Sequence, residues 1–218
     1  AVDGIYCQSA NPTIRNSTIR NNTDGIDADS GSQPTITANT FTGNGRPISV
    51  YANKIDETIY GNTYSGNTKE YIELQGATLD ENKTYTWKND GGPYVAVADI
   101  RVRRDSYNPG SERSILEIST GTTVQFASGK YLYVGDANNN YNYDRYPGGL
   151  KAKGVTFTSL DTTGWGGLYF HNSTLDDSSY TLIDSSIIEN AVDGIYCESS
   201  SPTITNSTIR NNTDGIYA

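Results

Sequence analysis

One passage of this chain occurs twice, once at each end. Residues 1–28 read AVDGIYCQSANPTIRNSTIRNNTDGIDA, and residues 191–218 read AVDGIYCESSSPTITNSTIRNNTDGIYA. Five positions of the first copy differ in the second (8, 10, 11, 15 and 27), so 28 − 5 = 23 are identical, at an offset of 191 − 1 = 190. A sequence that returns to itself at fixed spacing is built from stacked units, each burying its apolar side against its neighbours. A finer period runs inside the long one. Asp3-Gly4-Ile5 recurs as Asp24-Gly25-Ile26, a step of 21, and Pro12-Thr13-Ile14 as Pro34-Thr35-Ile36, a step of 22. Asn39-Thr40-Phe41 with Asn44 recurs as Asn62-Thr63-Tyr64 with Asn67, a step of 23. Steps that drift by one residue are what coils with slightly variable turns give.

Each coil reads as short strands joined by tight corners. Side chains alternate along a strand, so Ile5 and Cys7 share one face and Tyr6 takes the other. Pro12-Thr13-Ile14 reads as a corner leading into a second strand. Ile19 fills the core from a third strand, a place taken by Phe41 and then Tyr64 in later coils. Asn22, Asn44 and Asn67 fall one coil apart and are expected to stack as a ladder, each amide bonding to the next.

Composition agrees with a solenoid. Only 34% of residues are hydrophobic and Met is absent, less apolar material than a compact sphere of this length uses. Thr, Tyr, Ile and Val favour strands, while Asn and Gly favour the turns between them. The formal charge of −9 argues against a nucleic-acid partner, which requires clustered Lys and Arg. No apolar run reaches membrane-spanning length, and no signal peptide is expected within these residues.

These repeats resemble right-handed parallel β-helix repeat proteins, the superfold shared with pectate lyases. Residues 1–75 and 166–218 carry the resemblance. Across 76–165 the coils are expected to be longer and to hold inserted loops, with strands at 94–97, 114–118, 123–126 and 155–157. The resemblance implies an all-β, right-handed parallel β-helix of roughly eight to nine coils, spanning 1–218 as one domain. At about 24 residues a coil, the long period would hold roughly eight coils and rise about 38 Å.

Asn22-Thr23-Asp24-Gly25-Ile26-Asp27 is similar to one motif of the polygalacturonase family, which uses this superfold and acidic residues to hydrolyse glycosides. The family's paired aspartates, its Gly-His-Gly and its Arg-Ile-Lys motifs are not found where they should follow. Gly45-Arg46-Pro47 stands in the next coil, and the one histidine, His171, lies in Phe-His-Asn. Asp-Gly-Ile also occurs four times, as a corner does and an active site does not. Pectate-lyase chemistry needs acids for Ca²⁺ beside a basic residue; Arg101, Arg103 and Arg104 near Asp99 and Asp105 read instead as a solvated face. No residue is assigned a catalytic role, and no cofactor is required.

Asp136, Asn138, Asn140, Asn142 and Asp144 place oxygen-bearing side chains at every second position, as at the start of a calcium loop, and are the candidate Ca²⁺ ligands. The twelfth-position Glu is missing, because residue 147 is Pro. Tyr141, Tyr143 and Tyr146 beside them form a candidate contact patch for a neighbouring subunit or a sugar ring. Cys7 and Cys197, one long period apart, are too distant to bridge within the chain and read as buried free thiols facing the core, with an intersubunit bridge as the alternative. Sequons at Asn16, Asn21, Asn82, Asn172, Asn206 and Asn211 fit a secreted, glycosylated surface protein, with Asn82 and Asn172 the most loop-like.

Neither end carries a recognisable cap, and the last coil nearly copies the first. Two partner arrangements stay open: tandem copies in a longer chain, or copies joined head to tail. Both point to a repeat unit of an extracellular filament, stalk or surface-layer protein. The alternatives are a carbohydrate-active enzyme, or a glycan-binding adhesin module that uses the tyrosine-rich loop.

Overall fold

The computed structural model describes residues 2–104, 113–136 and 146–218. Among them are 26 short strands, a single 3-10 turn at Ala52–Lys54, and no α-helix. Every pairing is parallel, and neighbours in a sheet are three strands apart in the chain. That order is a coil of three strands, wound in the right-handed sense parallel crossovers adopt. The protein is a right-handed parallel β-helix.

One sheet of nine strands runs the whole length, from Asp3–Cys7 to Thr208–Arg210. The other two sides of the coil change along the axis. The first three coils use two three-stranded sheets, which begin at Thr13–Arg15 and Thr18–Arg20. The later coils use a six-stranded sheet, Ala77–Leu79 to Asp214–Tyr217, and a five-stranded one, Thr84–Trp87 to Thr203–Thr205.

Alternation decides the core. Along the nine-stranded sheet one inward residue per coil stacks in register: Ile5, Ile26, Ile48, Ile72, Tyr94, Val124, Phe157, Ile188 and Ile209. The seven from Ile26 to Ile188 are fully buried; each such side chain contributes about 1.5–3 kcal/mol. The numbering of this row shows how coil length changes. Its steps are 22, 24 and 22 from Ile26 to Tyr94, then 30, 33 and 31 from Tyr94 to Ile188, then 21 to Ile209. The longest steps of this row thus lie between Tyr94 and Ile188.

Left-handed corners explain much of the Asn and Gly. Asn16, Ala38 and Gly61 occupy one corner in successive coils, with φ of 51°, 54° and 71°; Asn21, Gly43 and Gly66 occupy the next, at 59°, 65° and 66°. The second copy repeats this, with Asn206 at 50° and Asn211 at 56°. Asn and Gly are the residues that adopt this conformation at least cost.

The long period is not a whole number of coils. Asp3–Cys7 is the first strand and Asp193–Cys197 the twenty-third, an advance of 22 strands, which at three strands a coil is seven coils and one strand. The core row gives the same result. Seven turns carry Ile5 to Ile188, and a short further step brings the chain to Ile195 on the six-stranded sheet. Residues 191–218 therefore repeat residues 1–28 one face further round. The axial rise of the period is about 35 Å rather than 38 Å.

Candidate functional site

Four features are candidates: the amide ladders at the corners, a charged cluster, a tyrosine row, and the edge formed by residues 191–218.

The expected positions Asn22, Asn44 and Asn67 stand one above another. Asn22 gives its backbone N–H and its Nδ2 to Asn44 Oδ1 at 3.1 and 3.2 Å, and Asn44 gives the same pair to Asn67 Oδ1 at 3.0 and 3.1 Å. Each also crosses to the coil below, Asn44 Nδ2 reaching Ile19 O at 2.9 Å and Asn67 Nδ2 reaching Phe41 O at 3.0 Å. The structure adds a second ladder. It runs from Ser17 N to Asn39 Oδ1, from Asn39 to Asn62 Oδ1, and from Asn62 to Asp90. The recurrence of Asn39 as Asn62 is its signal in the sequence. These side chains satisfy backbone groups that the corners would otherwise bury unpaired.

The charged cluster lies on the nine-stranded sheet. Asp24 and Arg46 are register partners at the starts of adjacent strands, and Arg46 Nε donates to Asp24 Oδ1 at 2.9 Å. The same guanidinium pairs with Glu73 and lies 3.9 Å from Asp27. Lys69 adds a contact to Glu73 at 3.0 Å. Glu73 is buried, although it faces outward between Ile72 and Leu74. Burial opposes the charge of Arg46, but its Asp24 bond and the Glu73 and Asp24 carboxylates outweigh it and hold the guanidinium protonated above its ordinary range. Beside it lies an open groove of about 270 Å³ whose lining includes Tyr6, Asp27, Arg46, Ser49 and Gln75. Asp24 thus sits among carboxylates, but one arginine clamps all three. Glycoside hydrolysis asks instead for one carboxyl free to give a proton and another free to take one.

The tyrosine row fills the outward side of the six-stranded sheet. Arg101, Tyr133, Tyr169, Tyr196 and Tyr217 are successive register partners. Arg101 lies over Tyr133 at 4.0 Å. The rings follow at centroid distances of 5.6, 4.2 and 5.0 Å. His171 packs beside Tyr169 at 4.3 Å, with its Nδ1 2.8 Å from Glu198. Burial, then the Tyr196 hydrogen bond and neighbouring negative groups, push the Tyr169 hydroxyl far above its usual range. Tyr169 and Tyr196 cover one another's faces, whereas Tyr217 ends the row 54% exposed. Sequence spacing hid this row, because no two of its steps from Tyr133 to Tyr217 are equal.

Of the Ca²⁺ candidates, Asp136 is paired with Arg103, while Asn138, Asn140, Asn142 and Asp144 lie outside the described residues, as do Tyr141 and Tyr143. Among the described residues no group of three or more acids, His or Cys is placed to hold a metal. Arg103 also lies over Tyr146 at 5.2 Å, Asp99 accepts from Tyr131 N, and Arg104 is buried. The three arginines thus do different work and do not form one solvated face.

Asn16, Asn21, Asn206 and Asn211 are exposed. Asn82 and Asn172 lie in a bend and a turn, outside the strands, and are half-buried with their Oδ1 atoms shielded from solvent. Five of the six sequon asparagines, Asn172 excepted, hold positive φ, which gives Asn a conformational reason to be there. Cys7 is a buried free thiol and Cys197 a half-buried one.

The edge formed by 191–218 carries exposed apolar residues. Ile216 is 53% exposed, whereas its counterpart Ile26 is fully buried. Tyr217, the last ring of the tyrosine row, is 54% exposed.

Residues 1–97 match the family model described as right handed beta helix region. No curated protein and no solved structure matches the chain. Among the described residues no helix is long and apolar enough to cross a membrane.

Proposed function

We propose that this right-handed parallel β-helix repeat protein is a structural repeat unit of an extracellular filament, stalk or surface-layer protein, working by end-to-end stacking of its coils. The observation that carries the reading is the return of residues 1–28 as residues 191–218 with only five substitutions. A rigid ladder of parallel strands transmits that repeat along one axis. Open strand edges pair readily with further strands, and a repeat that adds to its own end without closing gives a fibre.

No catalytic role is assigned. Asp24, the best enzymatic candidate, is held with Asp27 and Glu73 by Arg46. Cleavage of acidic polysaccharides that disappears in Asp24→Asn would favour the carbohydrate-active alternative. Glycan binding that disappears when residues 136–146 are deleted would favour the adhesin alternative. Two or three of the exposed sequons carrying glycans would agree with a surface location.

Electron microscopy of native material, averaged along the axis, tests the main reading. Thin fibres with a spacing of about 35 Å, or a simple multiple of it, are expected. Discrete short rods would overturn it.

A further inference from the structure

We infer that residues 203–217 are the seat for a further copy of residues 33–51, so that each long period is turned by one face of the coil relative to the last. This rests on the stacking function proposed above and names its partner: a second period of the same sequence.

The chain contains this junction once already, at its beginning. There Thr35–Thr37 lies on Thr13–Arg15, Thr40–Thr42 on Thr18–Arg20, and Arg46–Tyr51 on Asp24–Ala28. The lower coil supplies the contacts from Ile14, Ser17, Ile19, Asn22 and Asp24. Ser17 N and Asn22 N donate to Asn39 Oδ1 and Asn44 Oδ1 at 3.0 and 3.1 Å. Ile14 O and Ile19 O accept from the same two amides, each at 2.9 Å. Asp24 Oδ1 accepts from Arg46 Nε at 2.9 Å. All five recur one long period later, as Ile204, Ser207, Ile209, Asn212 and Asp214. None of the five substituted positions is among them.

A glycine within the repeat adds a geometric observation. At Gly25 an added Cβ would lie 2.4 Å from Pro47 O, a backbone atom of the overlying coil, so only glycine fits. At the equivalent Gly215 the nearest atom to such a Cβ is Ile209 Cγ2 at 3.8 Å. Nothing in this chain requires glycine at 215, and its φ lies outside the left-handed range. A copy of Pro47 seated there would require it. The same copy would cover Ile216 as Ile48 covers Ile26.

The seat sits one face round from the first. Thr18–Arg20 belongs to a three-stranded sheet, whereas its repeat Thr208–Arg210 belongs to the nine-stranded one. Successive periods therefore rise about 35 Å and turn by about a third of a circle, so three periods, about 106 Å, bring a surface feature back into line. A group repeated in every period would be displayed on all sides of the fibre.

The test is a two-period chain, residues 1–218 followed directly by a second copy of residues 29–218, compared with the single-period chain by hydrogen exchange. Amides of 208–217 should become at least tenfold more protected in the longer chain, approaching those of 18–27. Gly215→Val should remove that gain in the longer chain, yet leave the Tm of the single-period chain within about one degree. Unchanged exchange, or a gain that survives Gly215→Val, would overturn the inference. Fibres seen in native material alongside either of those results would leave the filament function standing with a different junction. Nitroxide labels at one outward site of each period, with both cysteines replaced, then read the turn. A separation clearly longer than the axial rise is expected, and one equal to it would refute the rotation.

Discussion

Asn67 donates its backbone N–H and its side-chain Nδ2 to the two carboxylate oxygens of Glu70, at 2.8 and 3.1 Å. Asn62 does the same to Asp90, at 2.8 and 3.0 Å. Each asparagine rung gives its backbone N–H and its Nδ2 to the rung above, so the group that ends a ladder must accept from both. A carboxylate does this with both oxygens and no surplus donor. Both ladders therefore end on an acid where the coil changes from its first shape to its second.

The interior rung Asn44 is fully engaged. Asn44→Ala would strand Asn22 N and Ile19 O and remove the partner of Asn22 Nδ2. A loss of about 2–3 kcal/mol is expected, since unpaired buried groups cost about 1–3 kcal/mol each. Denaturant unfolding of the variant measures it, and a loss below about 0.5 kcal/mol would show that the ladder is incidental.

Asp90 supplies a pH signature. Burial raises its carboxyl above the ordinary value of 3.8, although bonds from Tyr64 and Asn62 oppose the shift. Between that ordinary value and the higher folded one the native state binds more protons than the unfolded chain, so stability falls as pH rises through the window. Asp90→Asn keeps the oxygen that accepts from Asn62 N and removes the charge, but puts a donor where Oδ2 accepts from Asn62 Nδ2 and Tyr64. Relative to the native protein, the variant's Tm should therefore rise between pH 3 and pH 7. A variant-minus-native Tm difference that does not increase between these pH values would contradict this.

Arg46 is the counter-charge that three carboxylates share. In Arg46→Met, Asp24, Asp27 and the buried Glu73 lose their common counter-charge. Glu73 keeps its contact with Lys69, so the loss at neutral pH should be about 2 kcal/mol, below that of a fully stranded buried charge. Adding Glu73→Gln should restore part of it. Thermal melts of both variants check this, and failure of the second substitution to recover any stability would place the effect elsewhere.

The two cysteines should react in a fixed order. Burial, then Asp29 and Asp27, raise the Cys7 thiol, while burial leads the rise at Cys197. Cys7 is 2% exposed and Cys197 half-buried. With a thiol reagent at pH 8 the native chain should show slow labelling at Cys197 and almost none at Cys7. Both should react fully in denaturant. Mapping the labelled peptides decides, and fast labelling of Cys7 would contradict its packing.

Local chemistry reads directly from the chain wherever the coil is short and regular. The short steps of the first coils place Ile19, Phe41 and Tyr64 in one row, as the register confirms. Asn22, Asn44 and Asn67 are legible for the same reason. Strand alternation puts Cys7 inside and Tyr6 outside, at 2% and 54% exposure. Such features depend on neighbours within one coil, where the period is nearly constant.

Tertiary structure alone decided what depends on accumulated length. The long and unequal steps of the middle coils brought Tyr133, Tyr169, Tyr196 and Tyr217 into one row and left no regular spacing in the chain to announce it. The same steps fixed the long period at seven coils and a third, so that identical residues, Asp3–Cys7 and Asp193–Cys197, lie in different sheets. Sequence determines which face of a strand is apolar, because alternation is local. It does not determine which side of the coil that strand occupies, because that position is the sum of every turn before it.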